Sequence, residues 1–407
     1  MPPVLQQRIP ALAEKIRPRE RLTDGREKGL RPLLEGALGK PFTEGNEIDV
    51  LRNGVQIFPA MLEAIRGAQS TIELLTFVYW RGDIAREFAE ALAERSRAGV
   101  KVFVLLDGFG AQQIDKKLVK NMRSAGVEVQ WFRPLSKLQP WKGNHRTHRK
   151  LLVCDGDVAF TGGVGIAAEW DGDARNPHEW RDTHFRVRGP AVRHMQAAFL
   201  DNWIETGRPL LDLKHHISAP KRAGKAAIQV VRSTASIGWN DTATLFRVMF
   251  AYAKSRIWVT TGFFVVDDGT QKLLAEAAKR GVDVRIMYPG RHHDSRVSKV
   301  AGESRVRPLL DAGVKIYHYQ KTMIHAKIII VDDSLVSIGS TNLNQRSLLK
   351  DDEISLAVDD PRTAQILSNQ YRRDLGSCDQ EGKRSWAHRG LAQRAKEIFV
   401  SPFRRQM

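Results

Sequence analysis

Two stretches of the chain repeat one pattern: His148-Arg-Lys-Leu-Leu-Val-Cys-Asp155 and His325-Ala-Lys-Ile-Ile-Ile-Val-Asp332. Each has a histidine, a lysine two residues later, four apolar residues and then an aspartate. Side chains two residues apart in an extended segment point to the same face, so each histidine shares a face with its lysine. Because an apolar run follows, we expect each pair to emerge at the end of a buried strand.

The sequence around the two motifs repeats as well. Gly162-Gly-Val-Gly165 follows the first motif at the same spacing at which Gly339-Ser-Thr-Asn342 follows the second. Strands alternating with helices favour an α/β fold with a central sheet covered on both faces. A repeat of this length is typical of a duplicated domain rather than a solenoid. The predicted elements before the motifs are strands at 71–79, 98–106 and 125–129 with a helix at 85–93, and strands at 256–261, 280–287 and 312–316 with a helix at 271–280.

Composition shifts divide the chain further. The predicted segments are a basic, amphipathic N-terminal extension (1–45), a first half (46–206), a linker (207–226), a second half (227–376) and a basic amphipathic tail (377–407).

The charge of the protein is strongly positive. The sequence has 64 Lys and Arg against 46 Asp and Glu, a formal net charge of +18. Such an excess attracts anionic partners, of which nucleic acid and an anionic membrane surface both qualify. A third interpretation is a basic enzyme that has no polyanionic partner. No apolar run approaches the ~20 residues of a membrane span and no signal peptide is recognisable, so a cytoplasmic location is expected.

The residues of the two motifs suit phosphodiester chemistry. A neutral imidazole can attack phosphorus and form a covalent phosphohistidine, while a second, protonated imidazole protonates the leaving oxygen. Lys150 and Lys327 would stabilise the charge on the other phosphate oxygens, with Ser340 and Asn342 adding hydrogen bonds. Each motif supplies only one histidine and one lysine. We therefore expect both motifs to form a single active site.

The paired motifs, with Gln345-Arg-Ser347 and Glu353 downstream, resemble the phospholipase D superfamily over residues 45–375. The resemblance implies two halves packed as a pseudo-twofold dimer, with the histidines meeting at the interface and neither a metal nor a cofactor required. It also implies that His148 is the nucleophile and His325 the acid.

The resemblance extends to the carboxylates. It matches Asp182 as the orienting partner of His148 and Glu353 as that of His325. Asp155 and Asp332 complete the catalytic motifs, and we expect them to anchor the turn after each strand. One departure is Gly165, where the family pattern has Asn. Because both His–Lys pairs are intact, we still expect activity.

Within the superfamily, the chain is similar to bacterial cardiolipin synthases that lack transmembrane helices. This resemblance implies a transfer reaction in which two phosphatidylglycerol molecules give cardiolipin and glycerol, at the inner face of the cell membrane. With water as acceptor, the same site would be a phospholipase. A nuclease is the rival from another substrate class, and a binding scaffold with a dead site is a third. The similar segments are 52–61, 145–152, 180–192 and 262–267.

A metal-dependent hydrolase is a further alternative, because His145, His178 and His184 lie near the first motif in sequence and His292-His-Asp294 near the second half. Neither group has the spacing of a zinc-binding helix, and basic neighbours argue against a cation. We therefore predict no metal site.

Two segments are candidates for membrane contact. Residues 386–403 place apolar residues at helical spacing among arginines, as an interfacial helix does, although docking on the protein's own core fits equally. Residues 130–141 mix aromatic and basic side chains and are predicted to form a lip beside the first motif.

Overall fold

The computed structural model describes residues 30–134, 144–208, 221–234, 240–294 and 306–382. Most of the predicted N-terminal extension and linker, the basic tail from residue 383 and most of the predicted lip lie outside these residues. The domain boundaries proposed above stay predictions.

The chain alternates strands and helices through two halves. The first half follows helix α1 (Leu30–Leu38) and consists of β1 (Thr43–Arg52), α2 (Asn53–Gly67), β2 (Thr71–Thr76), α3 (Asp83–Arg97), β3 (Lys101–Asp107), α4 (Lys116–Ser124), β4 (Glu128–Phe132), β5 (Leu151–Cys154), β6 (Val158–Gly162), β7 (Thr183–Arg188) and α5 (Ala191–Ile204). The second half consists of β8 (Ala226–Ser233), α6 (Asp241–Tyr252), β9 (Arg256–Thr260), β10 (Phe264–Val265), α7 (Asp268–Lys279), β11 (Asp283–Pro289), α8 (Val306–Asp311), β12 (Lys315–Tyr319), β13 (Ile328–Val331), β14 (Leu335–Gly339), β15 (Leu343–Asn344), α9 (Gln345–Leu349), β16 (Glu353–Asp359), α10 (Pro361–Leu375) and β17 (Cys378–Gln380).

The strand order repeats on the two sides of the molecule. From the centre outward, the first half runs β1-β7-β6-β5-β2-β3-β4 and the second runs β8-β16-β14-β13-β9-β11-β12, with β17 at the far edge. Strands β1 and β8 pair antiparallel and join the two sheets. In each half the three outer strands are parallel and the others antiparallel. This confirms the predicted fold of two homologous halves, each a mixed sheet, related by a pseudo-twofold axis.

Helices cover the sheets on both faces. Helices α5 and α10 contribute Phe199, Trp203, Leu367 and Tyr371 to one apolar core that contains strand residues of both halves. A second core lies within each half, under α2 and α3 in the first and under α6 and α7 in the second. The halves therefore share buried surface, which is the strongest reason for them to stay together. Within the described ranges, no helix is both long and apolar enough to cross a bilayer.

Local sequence explains where these elements begin. The side chain of Asp267 accepts a hydrogen bond from the backbone N–H of Thr270 at the start of α7, and Asp360 caps α10 at Thr363 in the same way. Such caps satisfy N–H groups that have no partner within the helix. The β-branched run Ile-Ile-Ile-Val of β13 is fully buried, as expected for a central strand.

Three features differ from expectation. Strands β5 and β13 begin one residue after each lysine, so the His–Lys pairs lie in extended segments before the strands and not in them. Residues 130–132 of the predicted lip belong to strand β4 (Glu128–Phe132), with Phe132 buried. Helix α1 buries Leu34 and Leu38 in the core of the second half, although it precedes the first.

Two buried arginines hold the halves together. Arg149 donates to the carbonyl oxygens of Ala198, Glu353 and Ser233 at 2.6–3.2 Å. Arg181 of the first half pairs with Asp374 of α10 at 2.8 Å, and both side chains are nearly inaccessible to water. Each arginine satisfies acceptors on the other half that would otherwise be buried without a partner.

Replacing Arg181 by methionine is expected to lower the free energy of unfolding by up to about 3–5 kcal/mol, because Asp374 stays buried and keeps only Arg52, at 3.7 Å, as an ion-pair partner. Chemical denaturation followed by fluorescence measures this. Arg175→Met, which removes an exposed ion pair with Glu179, is the control and should change stability by less than about 1 kcal/mol. A double variant with Asp374→Leu should recover part of the loss, and no recovery would contradict the charge argument.

Candidate active site

Backbone hydrogen bonds attach the segment that contains each histidine to the opposite half. The N–H of His148 donates to the carbonyl of Asp352 at 2.9 Å, and the N–H of Asp352 donates to the carbonyl of Arg146 at 2.8 Å. Symmetrically, the N–H of His325 donates to the carbonyl of Arg181 at 2.8 Å. These cross-links explain why β5 and β13 start late: the preceding residues pair with the other half instead.

The histidines take their carboxylate partners from the opposite half as well. Nδ1 of His148 lies 3.0 Å from Oε1 of Glu353, and Nδ1 of His325 lies 3.0 Å from Oδ2 of Asp182. The predicted pairing of His148 with Asp182 and of His325 with Glu353 is therefore wrong; the two carboxylates orient the histidines, but crosswise. The resemblance was matched within each half, whereas the histidine segment of each half hydrogen-bonds to the backbone just before β7 or β16 of the other half.

The crossed pairs leave each ring ready for chemistry at Nε2. Burial and the charges of Lys150 and Lys327 lower the pKa of His148 well below its usual range. Burial and the charge of Lys327 lower the pKa of His325 to about 3. Both rings are therefore neutral in the free protein, with Nδ1–H donating to the carboxylate and an unprotonated Nε2.

The two lysines occupy equivalent positions. Each ammonium donates to the backbone carbonyl of its own motif's histidine, Lys150 at 2.8 Å to His148 and Lys327 to His325. Burial lowers the pKa of Lys150 to about 8 and that of Lys327 to about 7. An anion placed between the motifs would restore the charged forms, because it offsets the repulsion between the two ammonium groups.

The two carboxylates differ in charge state. Burial raises the pKa of Glu353 to about 7, despite the opposing effect of Lys150. Burial also acts to raise the pKa of Asp182, but the hydrogen bonds from His325 and the backbone of Thr183 and the charge of Lys327 outweigh it and lower the pKa to about 2. Asp182 is thus a fixed negative charge behind His325, whereas Glu353 is protonated more readily.

The aspartates that end the motifs lie in the turns after β5 and β13. Asp155 accepts from the backbone N–H groups of 69, 70 and 71 at 2.7–2.9 Å, and Asp332 accepts from those of 254, 255 and 256 at 2.7–3.2 Å. Both adopt left-handed backbone angles, φ +54° and +53°, which aspartate tolerates. They anchor turns, as the sequence predicted, and neither contacts the histidine rings.

Of the predicted phosphate ligands, Asn342 and Ser340 have different surroundings. The Ser340 hydroxyl is fully buried and donates to Oε2 of Glu353, so it orients a carboxylate rather than facing a phosphate. Oδ1 of Asn342 makes no hydrogen bond within the described residues. A Cβ atom built on Gly262 would lie 3.3 Å from that oxygen and from Nζ of Lys327, and 3.0 Å from Cδ2 of His325. Because Gly262 has no side chain, its backbone packs directly beside His325, Lys327 and Asn342.

The sequence did not single out the aromatic residues around His325. The ring of Trp170 lies 5.4 Å from the imidazole, that of Trp180 5.6 Å and that of Phe263 6.3 Å, measured between centroids. On the other side, Phe77 lies 5.2 Å from His148. The sequence signal was indirect: Trp180 and Phe263 lie within the segments 180–192 and 262–267 that are similar to cardiolipin synthases.

The additional histidines weighed as metal ligands do not converge. His184 is buried on β7 with neither ring nitrogen bonded, His178 is exposed, and His292 and His293 follow β11. Within the described ranges, no group of three or more His, Cys, Asp or Glu side chains is arranged to hold a metal ion.

Comparison with known proteins places this site in a family. The family described as cardiolipin synthase, phospholipase D-like domain, matches residues 61–169 and 247–375, one stretch in each half. The chain belongs to the phospholipase D-like cardiolipin synthase family. It is 35% identical to the cardiolipin synthase of Alkalihalophilus pseudofirmus over 353 residues, covering 85% of this chain and 70% of that protein.

Other relatives agree. The chain is 30% identical to cardiolipin synthase 1 of Bacillus cereus, covering 89% of this chain and 73% of the relative. Among solved structures, phosphatidylserine synthase from Haemophilus influenzae superimposes with a TM-score of 0.70 over 92% of this chain and 97% of that one, at 15% identity. That likeness shows that this chain has the same fold as that structure.

The lysine pKa values predict a pH dependence for this cardiolipin synthase family member. In the free enzyme Lys327 and then Lys150 lose their protons as the pH rises through about 7 to 8, so affinity for an anionic diester falls. We expect kcat/KM to decline on the alkaline side in this range, because kcat/KM reports free-enzyme groups. The alkaline limb of kcat should lie at higher pH, since bound phosphate raises both lysine pKa values. Identical limbs in kcat and kcat/KM would contradict this account.

Proposed function

We propose that this protein is a phosphatidyltransferase that makes cardiolipin and glycerol from two phosphatidylglycerol molecules. The observation that carries the proposal is the crossed arrangement itself: two neutral histidines, each oriented by a carboxylate of the other half, with two buried lysines. Family membership supplies the substrate class. The site by itself supports transfer of a phosphodiester through a covalent intermediate.

In the first step, Nε2 of His148 attacks phosphorus and forms the N–P bond as the bond to the glycerol oxygen breaks. His325, protonated at Nε2, gives its proton to the leaving glycerol. The anionic substrate compensates Lys150 and Lys327, which raises the pKa of His325 enough for it to hold that proton. Both lysines and Asn342 contact the non-bridging oxygens.

In the second step, the now neutral His325 takes the proton from a hydroxyl of a second phosphatidylglycerol. That oxygen attacks phosphorus, the N–P bond breaks, and His148 is regenerated. The charge states of the carboxylates support this division of roles. The ionised Asp182 behind His325 stabilises an imidazolium, as an acid requires, whereas a more readily protonated Glu353 suits a histidine that attacks as a neutral nucleophile.

We further propose that the enzyme acts peripherally on the anionic inner face of the cell membrane. Its net charge of +18 favours such a surface. Phe109 and Leu349 are about half exposed and flank the segment that carries His148. The backbone N–H of Phe109 donates to Asp107, which forms an ion pair with Arg146. The backbone carbonyl of Lys350, next to Leu349, lies 3.1 Å from Nδ1 of His145.

Purified protein incubated with phosphatidylglycerol vesicles and EDTA is expected to produce cardiolipin and equimolar glycerol, measured by mass spectrometry. Phosphatidic acid as the main product would instead identify a phospholipase. Cleavage of single-stranded DNA at comparable rates without a lipid product would identify a nuclease. Loss of turnover in EDTA would contradict a mechanism built on the two histidines alone.

The role of each histidine is tested by trapping the intermediate. A labelled phosphatidyl ester of p-nitrophenol reacts without an acid, because p-nitrophenolate leaves unprotonated. His325→Ala is expected to accumulate acid-labile label on the protein, while His148→Ala does not. The reverse pattern would exchange the two roles. Denaturation curves of both variants show that each is folded.

A further inference from the structure

The two halves orient their carboxylates by different means. Gly162 pairs with His184 across β6 and β7 as Gly339 pairs with Ser355 across β14 and β16. Gly163 is therefore equivalent to Ser340, and Asp182 to Glu353. In the second half the Ser340 hydroxyl donates to Glu353, but glycine at 163 provides no such donor.

A donor for Asp182 comes from Trp170 instead. The indole Nε1–H donates to Oδ2 of Asp182 at 2.8 Å, the same oxygen that meets Nδ1 of His325 at 3.0 Å. The other oxygen, Oδ1, accepts from the backbone N–H of Thr183 at 2.8 Å. A side chain at 163 has no room, because its Cβ would lie 2.1 Å from Oδ1.

Val78 and Trp170 together occupy the place of the missing amide. Gly165 is equivalent to Asn342, and a Cβ at 165 would lie 2.6 Å from Cβ of Val78 and 3.1 Å from Cζ3 of Trp170. The first half has thus exchanged a serine and an asparagine for one large ring. The bulk excludes an amide ligand on this side, and the N–H replaces the serine hydroxyl.

The indole is held firmly in this position. Trp170 is 2% exposed, ends a short 3-10 helix (Ala168–Trp170), and packs edge-on against Trp180 at 4.5 Å between centroids. Its carbonyl lies against Gly54, where a Cβ would come within 2.1 Å. A rigid donor limits the rotation of the Asp182 carboxylate.

We propose that Trp170 is a positioning residue for His325. This inference rests on the proposed function above. By holding Oδ2 of Asp182, the indole N–H keeps that oxygen in place as the acceptor of the Nδ1–H of His325 and so directs Nε2 at the scissile phosphodiester. It therefore acts on the proton transfers made by His325, to the leaving glycerol and from the acceptor hydroxyl, and not on the attack by His148.

Trp170→Phe removes the N–H and keeps most of the ring. Two substrates separate its effects: phosphatidylglycerol, whose leaving glycerol needs a proton, and phosphatidyl-p-nitrophenol, whose leaving group does not. Glycerol release should fall on the order of tenfold to a hundredfold in kcat, the effect of losing a hydrogen bond to a charged group, with KM unchanged. The pre-steady-state burst of p-nitrophenol should keep nearly its wild-type rate.

Trp203→Phe is the matched control, because its Nε1 has no hydrogen-bond partner among the described residues and its ring packs in the shared core. It should leave both reactions at wild-type rates. A p-nitrophenol burst that falls together with glycerol release in Trp170→Phe would overturn the proposal, as would wild-type rates with both substrates. If the wild-type protein makes no cardiolipin, the proposed function fails instead, and this outcome is recognised before any variant is compared.

Discussion

The hydrogen bonds from His148 to Glu353 and from His325 to Asp182 join one half of the molecule to the other at the point where the chemistry occurs. Adjacent backbone bonds at Asp352 and Arg181 run in the same crosswise sense. Neither histidine can be oriented unless the opposite half is folded and docked. Assembly of the fold and assembly of the active site are therefore a single event, and the shared core under α5 and α10 stabilises both.

Concentrating two lysines, two histidines and two carboxylates in one buried site is costly, since charged groups lose hydration there. The protein offsets this cost by pairing every histidine with a carboxylate and by placing each lysine on a backbone carbonyl. The compensation is incomplete, as the lowered lysine pKa values show. An anionic phosphodiester completes it, so the electrostatic strain of the free site becomes affinity for the substrate.

Duplication produced two similar half-sites that have since diverged. The second keeps a serine behind a glutamate and an asparagine beside the lysine; the first has a shorter aspartate, a tryptophan and two glycines in their place. The consequence is electrostatic asymmetry, with a permanently ionised carboxylate behind only one histidine. Attack and proton donation require one neutral and one protonated histidine, and the ionised Asp182 favours the proton on His325.

The repeated motifs alone determined much of this: the α/β class, the duplication, the composition of the site and the anchoring role of Asp155 and Asp332. These follow from short-range patterns, because residue type and spacing dictate which side chains share a face and which runs are buried. Only the tertiary structure decided the crossed pairing and the late start of β5 and β13. It also decided that Ser340 and Trp170 donate hydrogen bonds to the two carboxylates. Each depends on how two surfaces meet across the pseudo-twofold axis. Residues 143 and 205 positions apart become neighbours there, and no local periodicity encodes which carboxylate reaches which histidine.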